Sequence, residues 1–336
     1  MRILIDGHPR DMRAVWHDEG TVHMIDQRIL PHRVEVVHLV DHHQVAEAIR
    51  EMTVRGAPAI GVAAAYGMML AANNGEDLNA AAKELKATRP TAFDLFFAVD
   101  HILSEIGSGA DAIDAAEAYA NTIVERCRLI GEHGERLIKD GARIMTHCNA
   151  GALATVDWGT ALAPIREAWR RGKRIFVYVS ETRPRLQGMK LTSFELLNEG
   201  IPHAIIPDGA SGHFMREGVD LVMVGADRIA ANGDFANKIG TYEKAVLAKE
   251  LGVPFYTAAP LSTFDLSLKR GEDIPIEYRG EEEVTMVDGV RIAPYGCKAL
   301  NPGFDVTPGR YLSGIITETG VLKPGEIVNG LRGARM

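Results

Sequence analysis

The run from Arg143 to Ala258 contains RIMTHCNAG (143–151), RIFVYVSET (174–182), HAIIPDG (203–209), LVMVGADR (221–228) and PFYTA (254–258). Each carries a short, nearly continuous apolar stretch, the pattern of a strand buried on both faces. The spacing predicts strands at Arg143–His147, Arg174–Ser180, His203–Pro207, Leu221–Gly225 and Pro254–Ala258. Helices are expected between them, near Thr160–Arg171, Gln187–Asn198, Ala210–Glu217 and Ile239–Leu251, with Gly172, Gly200, Gly218 and Gly252 as stops. This alternation predicts an α/β fold with a Rossmann-like parallel sheet. Ligands of such sheets bind beyond the carboxyl ends of the strands, so Cys148, Glu181, Asp208 and Asp227 are expected to converge there.

Upstream the pattern changes. Arg13–Gln27 carries a hairpin signal around Asp18-Glu19-Gly20, and Arg33–Val40 is a further short strand. Helical periodicity then covers Gln44–Met52, Pro58–Ala72, Leu78–Thr88, Phe93–Ile106 and Ala110–Lys139. The chain thus divides near residue 140. Residues 1–139 form a mostly helical N-terminal domain with a small β element, and 140–336 form the Rossmann-like catalytic domain.

Composition sets the outer bounds. The 336 residues are 46 % hydrophobic and 24 % charged, the balance of a chain that buries a core. A net charge of −8 and a pI near 5.9 argue against a nucleic-acid partner. The longest uncharged apolar run, Ala59–Ala72, is too short to cross a bilayer and reads as a packed core helix. The start, MRILIDGHPR, has no signal-peptide pattern. Cys127, Cys148 and Cys297 share no close spacing, which excludes a disulfide framework and fits a cytoplasmic protein.

Four segments carry chemistry. In Thr146–Gly151, Cys148 sits at a strand end beside a glycine loop, where backbone N–H groups would ease its ionisation; the competing reading is a small apolar filler. In Val224–Arg228, Asp227 ends an apolar run, where desolvation raises a carboxyl toward the proton affinity of a general acid; a turn cap or a pair with Arg228 is the alternative. Asn237-Lys238 precedes an expected helix start, a place where a lysine and backbone N–H groups can hold a phosphate. Arg55–Gly61 puts an arginine and small residues at the opening of another helix, and Arg89-Pro90-Thr91 supplies a second arginine. In Glu181–Gly188, Gln187 can present an amide to sugar hydroxyls. Seven of twelve histidines precede residue 44, but His38 and His42 straddle a strand-to-helix junction and no carboxylate spacing completes a metal site. No G-x-G-x-x-G follows a strand and no P-loop occurs, so no nucleotide cofactor is expected.

In order along the chain stand Ile25–Arg28, Arg55–Gly61, Arg89–Thr91, Cys148–Gly151, Glu181–Pro184, Gly225–Arg228, Ala236–Tyr242 and Asn301–Pro308. With these eight segments the sequence resembles the methylthioribose-1-phosphate isomerases of methionine salvage. Their superfamily also holds the alpha, beta and delta regulatory subunits of the exchange factor for eukaryotic translation initiation. The resemblance implies a homodimer acting on a sugar phosphate, without metal or other cofactor. It implies Asp227 and Cys148 as catalytic residues, and Arg55, Gly56, Ala57, Arg89, Gln187, Asn237 and Lys238 as substrate-binding. Four departures accompany it: Ala150 for a usual Thr, an altered Asp208–His213 segment, Phe235 for a common Thr, and Tyr278. They bear on the 5-substituent of the sugar, so a related pentose 1-phosphate, 5-deoxyribose 1-phosphate or ribose 1,5-bisphosphate, is an alternative substrate. The bisphosphate needs further cations, and none is evident beyond Arg55, Arg89 and Lys238. A non-catalytic regulatory subunit is the other alternative.

Overall fold

Two short antiparallel strands, β1 (Arg2–Ile5) and β2 (His8–Asp11), open the chain, in a stretch without the alternation that announces a hairpin. Residues 1–5, 7–89 and 92–327 are described by the computed structural model. Pro90 and Thr91, two of the three residues of the expected second anion loop, lie outside them. The expected hairpin is β3 (Val15–Asp18) and β4 (Thr21–Ile25), turning at Glu19 and Gly20, both with positive φ. The following strand is shorter than its sequence pattern. β5 (Val36–Leu39) pairs only where β4 offers partners, from Ile25↔Val36 to Val22↔Leu39.

Five helices follow: α1 (His42–Arg50), α2 (Ala57–Asn73), α3 (Leu78–Thr88), α4 (Phe93–Gly107) and α5 (Ala112–Glu135). Every residue of α2 from Ala57 to Ala71 is buried, as expected of a helix that is apolar on all sides. The other four helices pack around it. α5 ends four residues before the expected Lys139. Leu137 and Ile138 donate to the carbonyls of Gly134 and Glu135, which tightens the chain out of the α-helix.

The second half holds β6 (Arg143–Thr146), α6 (Ala152–Thr155), α7 (Leu162–Arg170), β7 (Phe176–Ser180), α8 (Ser193–Glu199), β8 (His203–Ile206), α9 (Ser211–Arg216) and β9 (Leu221–Val224). Next come β10 (Arg228–Ala230), β11 (Phe235–Lys238), α10 (Thr241–Glu250), β12 (Phe255–Ala258) and β13 (Phe264–Asp265). α11 (Glu282–Thr285), β14 (Met286–Val287), β15 (Val290–Arg291), β16 (Phe304–Thr307), β17 (Gly314–Thr317) and β18 (Gly320–Leu322) complete the described elements. The five expected strands lie parallel in the order β12-β9-β6-β7-β8, and β17 and then antiparallel β18 extend the β12 edge into a seven-stranded sheet. The chain leaves β6 toward β7 and β8, then returns to β9 on the other side. The switch point therefore lies between β6 and β9, which pair from Ile144↔Leu221 to Thr146↔Met223.

A second sheet, β13-β10-β11-β16, has no counterpart in the sequence reading. Its strands are two to four residues long, and β11 finds β16 only across a long separation. It changes the setting of Lys238, which ends a strand and does not open a helix.

Candidate active site

The strand ends on either side of the switch point carry Cys148 and Asp227. A cleft of about 1120 Å³, mouth included, opens between them. Arg55, Gly56, Ala57, Arg89, Gln187, Asn237 and Lys238 line the same cleft, so residues from both halves of the chain meet in one place. Glu181 and Asp208 do not join them, contrary to expectation. They follow β7 and β8, on one side of the switch, and their carboxylates serve the backbone. Asp208 accepts from Thr182 N at 3.0 Å and Arg183 N at 2.7 Å, and Glu181 accepts from Asp208 N at 3.3 Å.

Cys148 is held at φ +62°, a conformation that costs a non-glycine residue energy and needs support from its neighbours. Its N–H donates to Thr182 Oγ1 at 2.8 Å, and its carbonyl accepts from Thr192 Oγ1 at 2.6 Å. The following loop is anchored by Glu195, which is 2 % exposed. Its carboxylate accepts from Ala152 N (2.8 Å), Leu153 N (3.2 Å), Asn149 Nδ2 (2.9 Å) and the buried Arg166 Nη2 (2.5 Å). Glu195→Ala would leave Arg166 and the loop amides without their common acceptor. We expect a loss of about 3–5 kcal/mol, the cost of breaking a buried pair from one side. Urea unfolding reads it, and an unchanged midpoint would show that the loop does not depend on this carboxylate.

The opposite wall is the start of α2, where Gly56, Ala57 and Pro58 line the cleft; among the described residues no side chain caps this helix, and Pro58 brings no N–H of its own. Gly56, at φ +95°, packs so closely on α6 that a Cβ would lie 2.5 Å from the Ala154 carbonyl oxygen. Arg55 donates through Nη2 to Asn149 Oδ1, while its Nε is buried without a hydrogen-bond partner among the described residues. Lys238 is 6 % exposed and donates to the Gly303 carbonyl at 2.7 Å. The helix start beyond it is not available to a phosphate, which corrects the expectation: Asp305 accepts from Gly240 N at 2.7 Å and Tyr242 N at 3.1 Å. Gln187 is buried with Oε1 unpartnered among the described residues, and faces the cleft from the turn before a wide helical turn at Gly188–Thr192.

The sequence reading missed a further cation. Arg279 lines the cleft and shares Glu277 with Arg89, at 3.1 Å and 3.4 Å respectively. It lies in an irregular stretch where no strand or helix pattern singles it out; the nearby departure at Tyr278 was the one available signal. A neighbouring cavity adds Arg28, Arg185 and Lys190, but these are bound by Asp26, Glu283 and Asp288.

Burial governs the electrostatics. It raises the pKa of Asp227, against the pull of Lys238, Arg279, Arg89 and Arg55 in that order. Burial also raises the pKa of Cys148, and outweighs Lys238 and Arg55. The expected easier ionisation of this thiol is thus reversed, because the loop that supplies N–H groups also excludes water. Lys238 is lowered to about 8 by burial and by Arg279. His147, lowered to about 3 by burial and Lys244, is neutral, with Nε2 bonded to the Ile239 carbonyl at 2.8 Å.

Residues 53–324 match the initiation factor 2 subunit family over most of the chain. The chain belongs to that family. It is 49 % identical over 335 residues to the methylthioribose-1-phosphate isomerase of Acetivibrio thermocellus, covering 93 % of this chain and 97 % of that one. The crystal structure of 5-methylthioribose 1-phosphate isomerase from Pyrococcus horikoshii OT3 superposes with a TM-score of 0.90 at 42 % identity, covering 97 % of both chains. The crystal structure described as translation initiation factor eIF-2B, subunit delta, from A. fulgidus gives 0.86 at 42 % identity, covering 97 % of this chain and 100 % of that one. Of the four departures from the family pattern, only Ala150 lines the cleft. Phe235 is buried in the core, Tyr278 is 71 % exposed, and the Asp208–His213 segment lies outside the cleft lining.

Proposed function

We propose that this chain is an aldose–ketose isomerase that converts 5-methylthioribose 1-phosphate to 5-methylthioribulose 1-phosphate. The observation that carries the reading is the pairing of Asp227 and Cys148 across the switch point, inside a cleft whose other wall is an uncapped helix start with Arg55. A phosphate is held by Arg55, the first N–H groups of α2 and Lys238, with Arg89 and Arg279 adding to the field. Asn237 and Gln187 meet the sugar hydroxyls. Met52, Ile60, Ile274 and Phe304 supply apolar lining suited to a methylthio group.

Phosphate on the anomeric oxygen blocks the spontaneous ring opening of an ordinary aldose. Asp227 donates its proton to the ring oxygen as the bond from C1 to that oxygen breaks. A hydrogen then moves from C2 to C1, the C2 hydroxyl becomes a carbonyl, and its proton returns to the Asp227 carboxylate. The proton balance closes on one residue. A neutral thiol beside C1 suits a hydride shift better than proton abstraction, because a base would first have to ionise. The reading includes a cytoplasmic homodimer that needs no nucleic acid, membrane or cofactor. No described helix is long and apolar enough to cross a membrane.

The purified chain should turn over 5-methylthioribose 1-phosphate faster than the 5-deoxy or 5-phospho analogues, measured by ketose formation. Arg55→Ala should raise KM roughly ten- to hundredfold, the equivalent of a lost charge-assisted contact of ~1.5–3 kcal/mol. Because Lys238 is charged only below about pH 8, KM should also rise as pH passes that value. No turnover of any of the three sugars would return the regulatory-subunit reading suggested by the A. fulgidus neighbour. Turnover with an unchanged KM in Arg55→Ala would move the phosphate elsewhere in the cleft.

A further inference from the structure

The histidines that local spacing leaves without partners acquire them in the fold. His42, the first residue of α1, is 4 % exposed, and its Nδ1 touches Oε2 of Glu76 in the connection between α2 and α3. This contact lacks hydrogen-bond geometry, and both atoms are buried without a hydrogen-bond partner among the described residues. His43 stacks on the same ring, with centroids 3.9 Å apart. A single carboxylate oxygen of Glu84, on α3, faces His43 Nδ1 at 2.8 Å and His42 Nε2 at 3.4 Å. The His38 of the sequence pattern turns away and meets His23 instead, Nδ1 to Nδ1 at 2.8 Å.

We propose that His42, His43 and Glu76 bind a divalent transition cation of the zinc class, with Glu84 as the outer carboxylate that orients both rings. Ligand atoms of the three residues lie within 4.8 Å of one another. Two imidazoles and one carboxylate are a donor set that zinc accepts, with positions left for water on the solvent side of the half-exposed cluster. A hydrogen bond from one ring nitrogen to an outer carboxylate fixes the tautomer, and leaves the other nitrogen with its lone pair toward the ion. His42 Nδ1 and Glu76 Oε2 meet each other directly, and a cation bound here would take the place of that contact.

The site is remote from the chemistry. α2 begins at the cleft and ends just before Glu76, and its 17 residues span about 25 Å. The ion would fasten α1 to the α2–α3 connection, and so stabilise the helical half without altering catalysis.

The test uses full-length protein stripped with a chelator and titrated with Co²⁺, followed by displacement with Zn²⁺. One Co²⁺ per chain should bind with visible d–d bands and no thiolate charge-transfer band. His43→Ala, at an exposed position, should weaken binding at least tenfold and leave turnover unchanged. His38→Ala and Cys148→Ser should bind Co²⁺ as the parent does. Zinc at one hundred times its Kd should raise Tm by about 4 °C in the parent and not in His43→Ala. Binding that survives His43→Ala, binding lost in His38→Ala or Cys148→Ser, or no saturable binding of Co²⁺ by the parent would each overturn the proposal.

Discussion

Replacing Asp227 by Asn should lower kcat by at least ~100-fold, while KM changes little. The amide keeps the carboxyl's size but cannot donate a carboxylic proton to the ring oxygen, nor take one back from the C2 hydroxyl. Asp227 is not placed among the phosphate contacts, so ground-state binding should survive. The pH profile carries the same signature. Burial raises this pKa, so the protonated fraction persists above the ordinary carboxyl range. A bound phosphate near Arg55 and Lys238 offsets the cations that favour the carboxylate, and raises it further. Turnover should therefore fall as pH rises through the raised value, and Asp227→Asn should lose that limb. Stability should fall over the same interval. A carboxyl whose folded pKa exceeds its unfolded one binds its proton more tightly in the native state, so stability is lost as pH rises between the two values. Above them the buried carboxylate is a burden, and the neutral amide should leave Tm unchanged or higher. A variant with near-normal kcat would remove Asp227 from the mechanism. A variant that is inactive because it is unfolded would contradict the electrostatic account of the site.

How much of this was legible in the sequence follows from the range over which each feature is encoded. The five central strands announce themselves because each is a local apolar run, and the two-sided burial of a parallel sheet requires such runs. Cys148 and Asp227 could be nominated because strand ends are local features too. Which strand ends meet is not local. Glu181 and Asp208 occupy equivalent positions in the pattern, yet the strand order β9-β6-β7-β8 places them beyond the switch point, where they bind backbone amides. Lys238 shows a second limit. Its glycine-rich surroundings resemble a helix start, but strand pairing with Phe304 fixes its backbone and Asp305 occupies the helix terminus. Arg279 shows a third, since an arginine in irregular chain carries no periodic mark. The direction of the Cys148 shift was hidden for a related reason: a loop sequence shows the donors near a thiol but not how much water the fold removes from it.

Cys148→Ser should also lower kcat by ~100-fold or more with little change in KM, since the proposed mechanism puts the sulfur at the reacting carbons and not at the phosphate. The loss should combine with that of Asp227→Asn to less than the product, because two residues that serve one transition state act as a unit. The route is decided by two further readouts. In deuterated water a hydride shift leaves C1 of the product free of solvent deuterium, and this is the expected result. Retention alone would also fit a thiolate that carries the same proton from C2 to C1 without exchange. The pH profile separates these. A thiolate base requires Cys148 to ionise, and burial has raised that pKa above its ordinary value, so kcat would climb through an alkaline limb that vanishes in Cys148→Ser. The hydride route needs the thiol neutral beside a carbon that becomes cationic as Asp227 opens the ring. It shows no such rise, and its profile declines with Asp227 alone. Deuterium at C1, or an alkaline limb that depends on Cys148, would make the thiol the base and the enol phosphate the intermediate.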